Sequence, residues 1–273
     1  MSTDILCAVE QCGAGPDVSS ARNIRPTSLG IVGVLFIVVV WHFSAASGAI
    51  SPAFLPTPWA AASALRFGLT HGDLLDQLRD TVSLMFRGWF VAGLLGIGLG
   101  TLVGVSPTIG AYVEPTIEFL RPLPPSAVAP LAISLLGLGH GMVLAVVIFG
   151  SVWPPLLSTA QAFVLIDPRL REVARCLGLS RSAFVFKIGL PSMTHDLVGA
   201  LRVSMSLALI LTVLGEMLAA QDGLGYVILL AARSFNAPRL YAAIILLAIL
   251  GAATNLIILL AERRLMAWNI QRD

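Results

Sequence analysis

An all-α integral membrane protein is the fold class this sequence predicts, and three observations predict it. Of 273 residues, 57% are hydrophobic and 12% charged, against about 25% charged in a soluble domain. Mean hydropathy is +0.89, which means more apolar surface than a soluble protein of this size can hide behind polar groups. The apolar residues also gather into six stretches, each near the ~20 residues that cross about 30 Å of hydrocarbon. Composition excludes disorder, a disulfide-rich secreted module and a nucleic-acid-binding domain. The net charge of +2 is too small for a general attraction to polyanions.

The elements follow in order. Residues 1–27 are small and polar, with Gly15-Pro16 and Ser19-Ser20. They read as a disordered cytoplasmic tail, and they lack the cationic start and apolar block of a signal peptide. Residues 28–266 form the transmembrane domain, and 267–273 a cytoplasmic C-terminal tail. The first span runs from Leu29 to Ser47. Ser51–Asp80 is an extracytoplasmic segment whose Leu55-Pro56-Thr57-Pro58 run is stiff and extended, because each proline restricts the residue before it. A helix follows from Trp59, and Asp73, Asp76 and Asp80 recur at helical spacing. They read as the solvated face of an interfacial helix, with a docking surface for an extracytoplasmic partner as the alternative. The second span, Val82–Val105, carries Gly96, Gly100 and Gly104 four residues apart. Glycines at that spacing lie on one helix face and let another helix approach closely. The third span lies within Tyr112–Leu138 and is broken by Pro115, Pro122, Pro124, Pro125 and Pro130. The fourth is Met142–Phe163, with Trp153-Pro154-Pro155 inside it; the fifth is Leu197–Ala219 and the sixth Leu240–Ala261.

The cations orient these spans, since cytoplasmic loops are enriched in Lys and Arg. With the N-terminus inside, ten cations are cytoplasmic: Arg22, Arg25, Arg169, Arg171, Arg175, Arg181, Lys187, Arg263, Arg264 and Arg272. Four lie opposite: Arg66, Arg79, Arg233 and Arg239. Six crossings then leave both termini cytoplasmic.

Several chemistries find no residues to support them. Lys187 is the only lysine and no Gly-x-x-x-x-Gly-Lys loop surrounds it, so ATP would have to be bound by another chain. The three cysteines, Cys7, Cys12 and Cys176, have no Cys-x-x-Cys spacing, and the four histidines fall one per segment. Neither a zinc site nor a Ser/His/Asp nucleophile set is indicated. No cofactor is expected in this chain, and the chain reads as non-catalytic.

The loop from Asp167 to Ser192 carries the most information. Asp167-Pro168 is a helix start, an N-cap acceptor followed by proline at the first position. The helix would carry Arg169 to Leu177 and end at Gly178, which fits the left-handed closing position. Ser180 would cap a second short helix, Arg181–Gly189, closed off before Pro191. Leu170, Ala174 and Leu177 line one apolar stripe, and Phe184, Val185 and Ile188 another. The product is a compact knob at the membrane surface, suited to passing force to a cytoplasmic partner.

Glu172-Val173-Ala174, three residues, Gly178, nine residues and then Ile188-Gly189-Leu190-Pro191 resembles the EAA motif of binding-protein-dependent ABC importer permeases. That pattern is Glu-Ala-Ala, three residues, Gly, nine residues, Ile-x-Leu-Pro, and Val173 is the one departure. Leu55-Pro56-Thr57-Pro58, the run from Leu120 to Ala127, Gly215-Glu216-Met217 and Gly223-Leu224-Gly225 are similar to elements of the nitrate/sulfonate/taurine-type permeases. His140 departs at a position that is often acidic. The resemblance implies a type I ABC importer permease architecture that works as a homodimer in the bacterial inner membrane. It implies two ATP-binding subunits that hold ATP and Mg and engage the knobs, and an extracytoplasmic binding protein on the other side. Glu172, Ala174, Gly178, Ile188 and Pro191 carry over as coupling residues, with Arg175 and Leu179 added from their place on the knob. The solute implied is a small oxyanion such as a sulfonate, taurine or nitrate. Bicarbonate or a vitamin precursor is the alternative within the family, and an ion-coupled secondary transporter the alternative outside it.

Three charged residues are candidates for the pathway or its gating. Glu216 is a carboxylate at or near membrane depth, where a charge faces protein or water. It shapes the outer mouth of the pathway or pairs with an arginine in gating, or else sits in the headgroup zone and closes a structural pair. Arg121 stands at the proline break and Arg202 flanks the fifth span. Each attracts an anionic solute or, as the simpler reading, snorkels to headgroups.

Overall fold

The computed structural model describes residues 26–265, which divide into one unit through Ile50 and a second from Ser51. The expected tails at 1–25 and 266–273 lie outside the described residues. In the first unit, α1 (Pro26–Ala46) is a single helix that starts two residues before the expected domain boundary, and its apolar part is Val32–Ala46.

The second unit is helical throughout its described elements. It opens with α2 (Pro58–Thr70), where Thr57 Oγ1 accepts from the Ala60 N–H at 3.3 Å and Pro58 takes the first position. The next helix, α3 (Leu74–Val105), is longer than the apolar stretch that announced it. The three aspartates therefore do not share the Trp59 helix. Asp73 is the N-cap of α3, and Asp76 lies in its first turn. Asp73 makes a two-oxygen ion pair with Arg239, both contacts 2.8 Å.

The third span is a bent pair, α4 (Pro107–Leu120) and α5 (Pro125–Leu136), meeting at 96°. At 1.5 Å per residue the arms are roughly 21 and 18 Å long, so neither alone crosses about 30 Å. Pro122, Pro124 and Pro125 enforce the break. The fourth span is α6 (His140–Ser151) running into α7 (Trp153–Val164), together counted as one 25-residue span. Pro155 has no N–H for the Ser151 carbonyl, the acceptor four residues back. The Ser204 hydroxyl donates to that carbonyl instead, at 2.6 Å.

After the knob come α11 (Thr194–Ala219), α12 (Leu224–Arg233) and α13 (Ala237–Leu265). Among the described residues, four spans are long and apolar enough to cross, or five with the bent pair counted as one. The five passes of the second unit alternate in direction. Val105, Phe163, Ile166 and Met193 meet at the end that carries the knob. Met142, Val143 and Ala219 share a core at the far end, as do Leu74, Leu224 and Ala242. The bent pair thus carries the chain from one end of the bundle to the other, despite its right-angled turn. The last pass, α13, returns Arg263 and Arg264 to the knob end, where Arg202 meets Asn255 at 2.7 Å and Glu262 at 4.0 Å.

The glycine stripe of α3 lies against α7. A Cβ on Gly96 would stand 2.8 Å from the Val152 carbonyl oxygen, and one on Gly100 2.8 Å from Thr159 Cβ. One on Gly104 would stand 2.7 Å from Phe163 Cβ. The two backbones are in close approach over about two turns of α3.

Candidate functional site

The knob begins where the sequence puts it. In α8 (Pro168–Cys176) the Asp167 carboxylate accepts from the Arg169 N–H at 2.8 Å. Gly178 has φ +64°, the left-handed geometry that a side chain disfavours. Ser180 Oγ accepts from the Ala183 N–H at 3.2 Å, starting α9 (Arg181–Phe184).

The second helix departs from expectation. It does not close before Pro191 but widens into a π-helical turn at Val185–Gly189 and continues through α10 (Leu190–Ser192). The Leu190 N–H donates to the Val185 carbonyl, five residues back. The physical cause is Pro191, whose ring clashes with the carbonyl four residues earlier in an ordinary α-turn. A widened turn moves that carbonyl aside.

The knob is anchored as well as folded. Arg171 Nη2 donates to the Phe163 carbonyl at 2.6 Å and lies 3.4 Å from that of Val164. These are last-turn carbonyls of α7, which have no partner within their own helix, and a cation at a helix C-terminus is favourable. Phe184, Val185 and Leu190 pack against the Phe163, Ile166 and Met193 cluster. Ala174 is buried on the bundle side of α8 and Glu172 is exposed. Arg175 and Leu179 line a cleft of about 560 Å³ with Gly104, Pro107 and Phe184. Ile188 is half-buried in the π-turn and Pro191 is exposed. On the knob Leu170, Val173, Leu177 and Phe186 are 41, 51, 69 and 70% exposed.

The other candidates fall in separate places. Arg121 closes α4 at the bend and lines a cleft of about 790 Å³ between α4 and α7. Glu114 and Glu118 line it too. These carboxylates were missed in the sequence, although 114, 118 and 121 have the spacing of one helix face. Arg202 is engaged with Asn255 and Glu262, so it ties α11 to α13. Glu216 is fully buried, and no arginine meets it: among the described residues the arginine ion pairs are with Asp76, Glu262 and Asp73. Instead Glu216 Oε2 accepts from the Gly225 N–H at 2.9 Å and from Thr81 Oγ1 at 3.1 Å. Glu216 therefore joins α11 to the start of α12 at the far end of the bundle, with a helix terminus as its partner.

Residues 93–267 match the model of a family described as the binding-protein-dependent transport system inner membrane component. The chain belongs to this family. It is a multi-pass inner membrane protein and a non-catalytic permease component of ABC importers. A protein of Bacillus subtilis named for aliphatic sulfonates transport is 27% identical over 85% of this chain and 84% of its own length. The taurine transport system permease protein of Escherichia coli is 28% identical, covering 90% of this chain and 91% of that protein. The bicarbonate transport system permease protein of Synechococcus elongatus is 28% identical over 73% and 75%. Among solved structures, an inward-facing methionine ABC transporter chain superposes with a TM-score of 0.63 at 19% identity, covering 70% of this chain and 95% of that one. This likeness shows the shared fold.

Proposed function

We propose that this chain is the membrane subunit of an ATP-driven importer for a small oxyanion, with an organosulfonate or taurine preferred. It works as a homodimer of six-span subunits whose knob ends and termini face the cytoplasm. An extracytoplasmic binding protein delivers solute at the far end. Two ATP-binding subunits, which hold ATP and Mg, engage the two knobs and drive alternating access.

The observation that carries this reading is the attachment of the knob. The knob exposes four apolar side chains, Leu170, Val173, Leu177 and Phe186, and exposed apolar side chains of that kind mark protein contacts. Its inward side is tied by Arg171 to the end of α7, so a push on the knob reaches a span through a hydrogen bond and not through slack chain. The burial of Ala174 gives that position a packing role, Arg175 and Leu179 line the cleft beside it, and exposed Glu172 stands nearest the partner. The distribution of cations agrees, with Arg169, Arg171, Arg175, Lys187, Arg263 and Arg264 at one end. The positive-inside rule makes that end cytoplasmic. The solute preference rests on the relatives named for sulfonates and taurine, and bicarbonate is the second reading, supported by the Synechococcus relative.

Co-expression with its ATP-binding subunit tests the assembly. A photo-crosslinking residue at Leu177 should capture that subunit, and one at Leu135, exposed on α5, should not. Capture at both positions or at neither contradicts the knob as the docking point.

A further inference from the structure

The two joints of α12 carry the side-chain-bearing residues with left-handed backbone among the described residues. Ala220, after α11, has φ 49°, and Phe235, after α12, has φ 53°. Both stand where a helix ends, a place usually filled by glycine, and a Cβ is strained there. Such strain persists only where the surroundings over-determine it, and it recurs at switch segments. Phe235 is braced by Phe54, ring edge to ring face, with centroids 6.0 Å apart.

The surroundings at the other joint form a latch. The first N–H groups of a helix have no partner within it, and here three side chains from two other helices supply partners. Gln77 Oε1 accepts from the Gly223 N–H. Thr81 Oγ1 accepts from the Leu224 N–H at 2.8 Å and donates to Glu216 Oε2, which also accepts from the Gly225 N–H. A Cβ on Gly225 would stand 2.9 Å from Glu216 Cβ, so the approach needs glycine. Among the described residues Glu216 Oε1 has no hydrogen-bond partner. A fully buried carboxyl group without a cation beside it is costly, and this one is committed to a single helix terminus. The rest of α12 rests on Leu224 and Val227, which share a core with Leu74, Ala242 and Leu246.

We propose that α12 is a two-state element at the far end of the bundle, released and re-latched in each transport cycle, and that Glu216 is the positioning residue that holds it. This rests on the importer reading above.

The test uses the assembled transporter with Cys7, Cys12 and Cys176 replaced by serine and a pair introduced at exposed positions outside the latch hydrogen bonds, as Asp76→Cys and Asp222→Cys. Spin labels at the pair should give one distance at rest and a second, longer one with ATP and binding protein. A single distance throughout overturns the latch. This readout needs no uptake, so two distances in the labelled complex, beside a wild-type complex that imports nothing with ATP, refute the importer reading alone. A cleavable crosslink across the pair should lower uptake at least tenfold until it is cut; unchanged uptake overturns the proposal. Glu216→Ala should raise ATP hydrolysis without binding protein by about tenfold, since hydrogen bonds to an acidic group are the stronger kind. Glu216→Gln, which keeps an acceptor, should stay within about threefold of wild type. A purely structural role would lower thermal stability in both variants and leave that hydrolysis unchanged, which would also overturn the proposal.

Discussion

Replacing Gly100 by alanine tests the contact between α3 and α7. A Cβ there would lie 2.5 Å from the Leu156 carbonyl oxygen, where ordinary contact begins at 3.4 Å. The neighbour is backbone, so the helices themselves must part, by roughly 0.9 Å from that difference. A gap of about 0.5–1 Å forfeits a quarter to a half of each dispersion contact, and overpacking of this kind costs about 1–3 kcal/mol. Against this, alanine gains up to about 1 kcal/mol of helix propensity over glycine. The net expectation is a loss of about 0–2 kcal/mol, with the forfeited dispersion contacts pushing it toward the upper end. Gly98 is the control, because a Cβ there meets nothing within 4 Å and only the propensity gain applies. Thermal unfolding of the purified permease in one detergent should show Gly100→Ala below wild type and Gly98→Ala at or above it. Equal shifts for the two variants would refute the close approach of α3 and α7.

Other variants probe the knob and the proline break. Gly178→Val places a β-branched residue at φ +64°, costing about 1–2 kcal/mol, and should uncouple ATP hydrolysis from uptake while the spans stay folded. Normal coupling would show that the turn is not needed. Arg171→Met keeps the aliphatic stem but removes the donor to the Phe163 carbonyl, so amide exchange across 168–177 should speed up by about tenfold or more; unchanged exchange would mean that packing alone holds the knob. Ser204→Ala leaves the Ser151 carbonyl without its donor and should lower stability by about 1–3 kcal/mol, with Ser206→Ala, on an exposed position, as the near-neutral comparison. Asp73→Asn should cost less than about 1 kcal/mol, and less again at high salt, because its pair with Arg239 is 40 and 53% exposed.

What the sequence made legible was whatever local chemistry dictates. Apolar run length marked the spans, Asp167-Pro168 and Gly178 bounded the first knob helix, and the four-residue glycine spacing identified a packing face. These features depend on residues close together in the chain. The misses depend on partners far apart. Glu216 invited an arginine partner because charges usually pair, and its actual partners, Thr81 and the Gly225 N–H, depend on where α3 and α12 pack. Arg171 counted only as a cation until α7 ended beside it. Ser204 has no local signal at all, although the Pro154-Pro155 pair announces carbonyls in need of a donor. The π-turn before Pro191 was readable in principle, since proline must displace the carbonyl four residues back, but termination was the simpler inference. The 96° bend gave its position through the prolines and withheld its angle.

The central claim is that this chain carries solute only when ATP is hydrolysed by a partner bound at the knob. Uptake of labelled taurine and of an alkanesulfonate into proteoliposomes, with permease, ATP-binding subunit and binding protein all present, tests it most directly. Accumulation should require ATP and all three components and should be lost in Gly178→Val. Accumulation without ATP, or without the ATP-binding subunit, would contradict it.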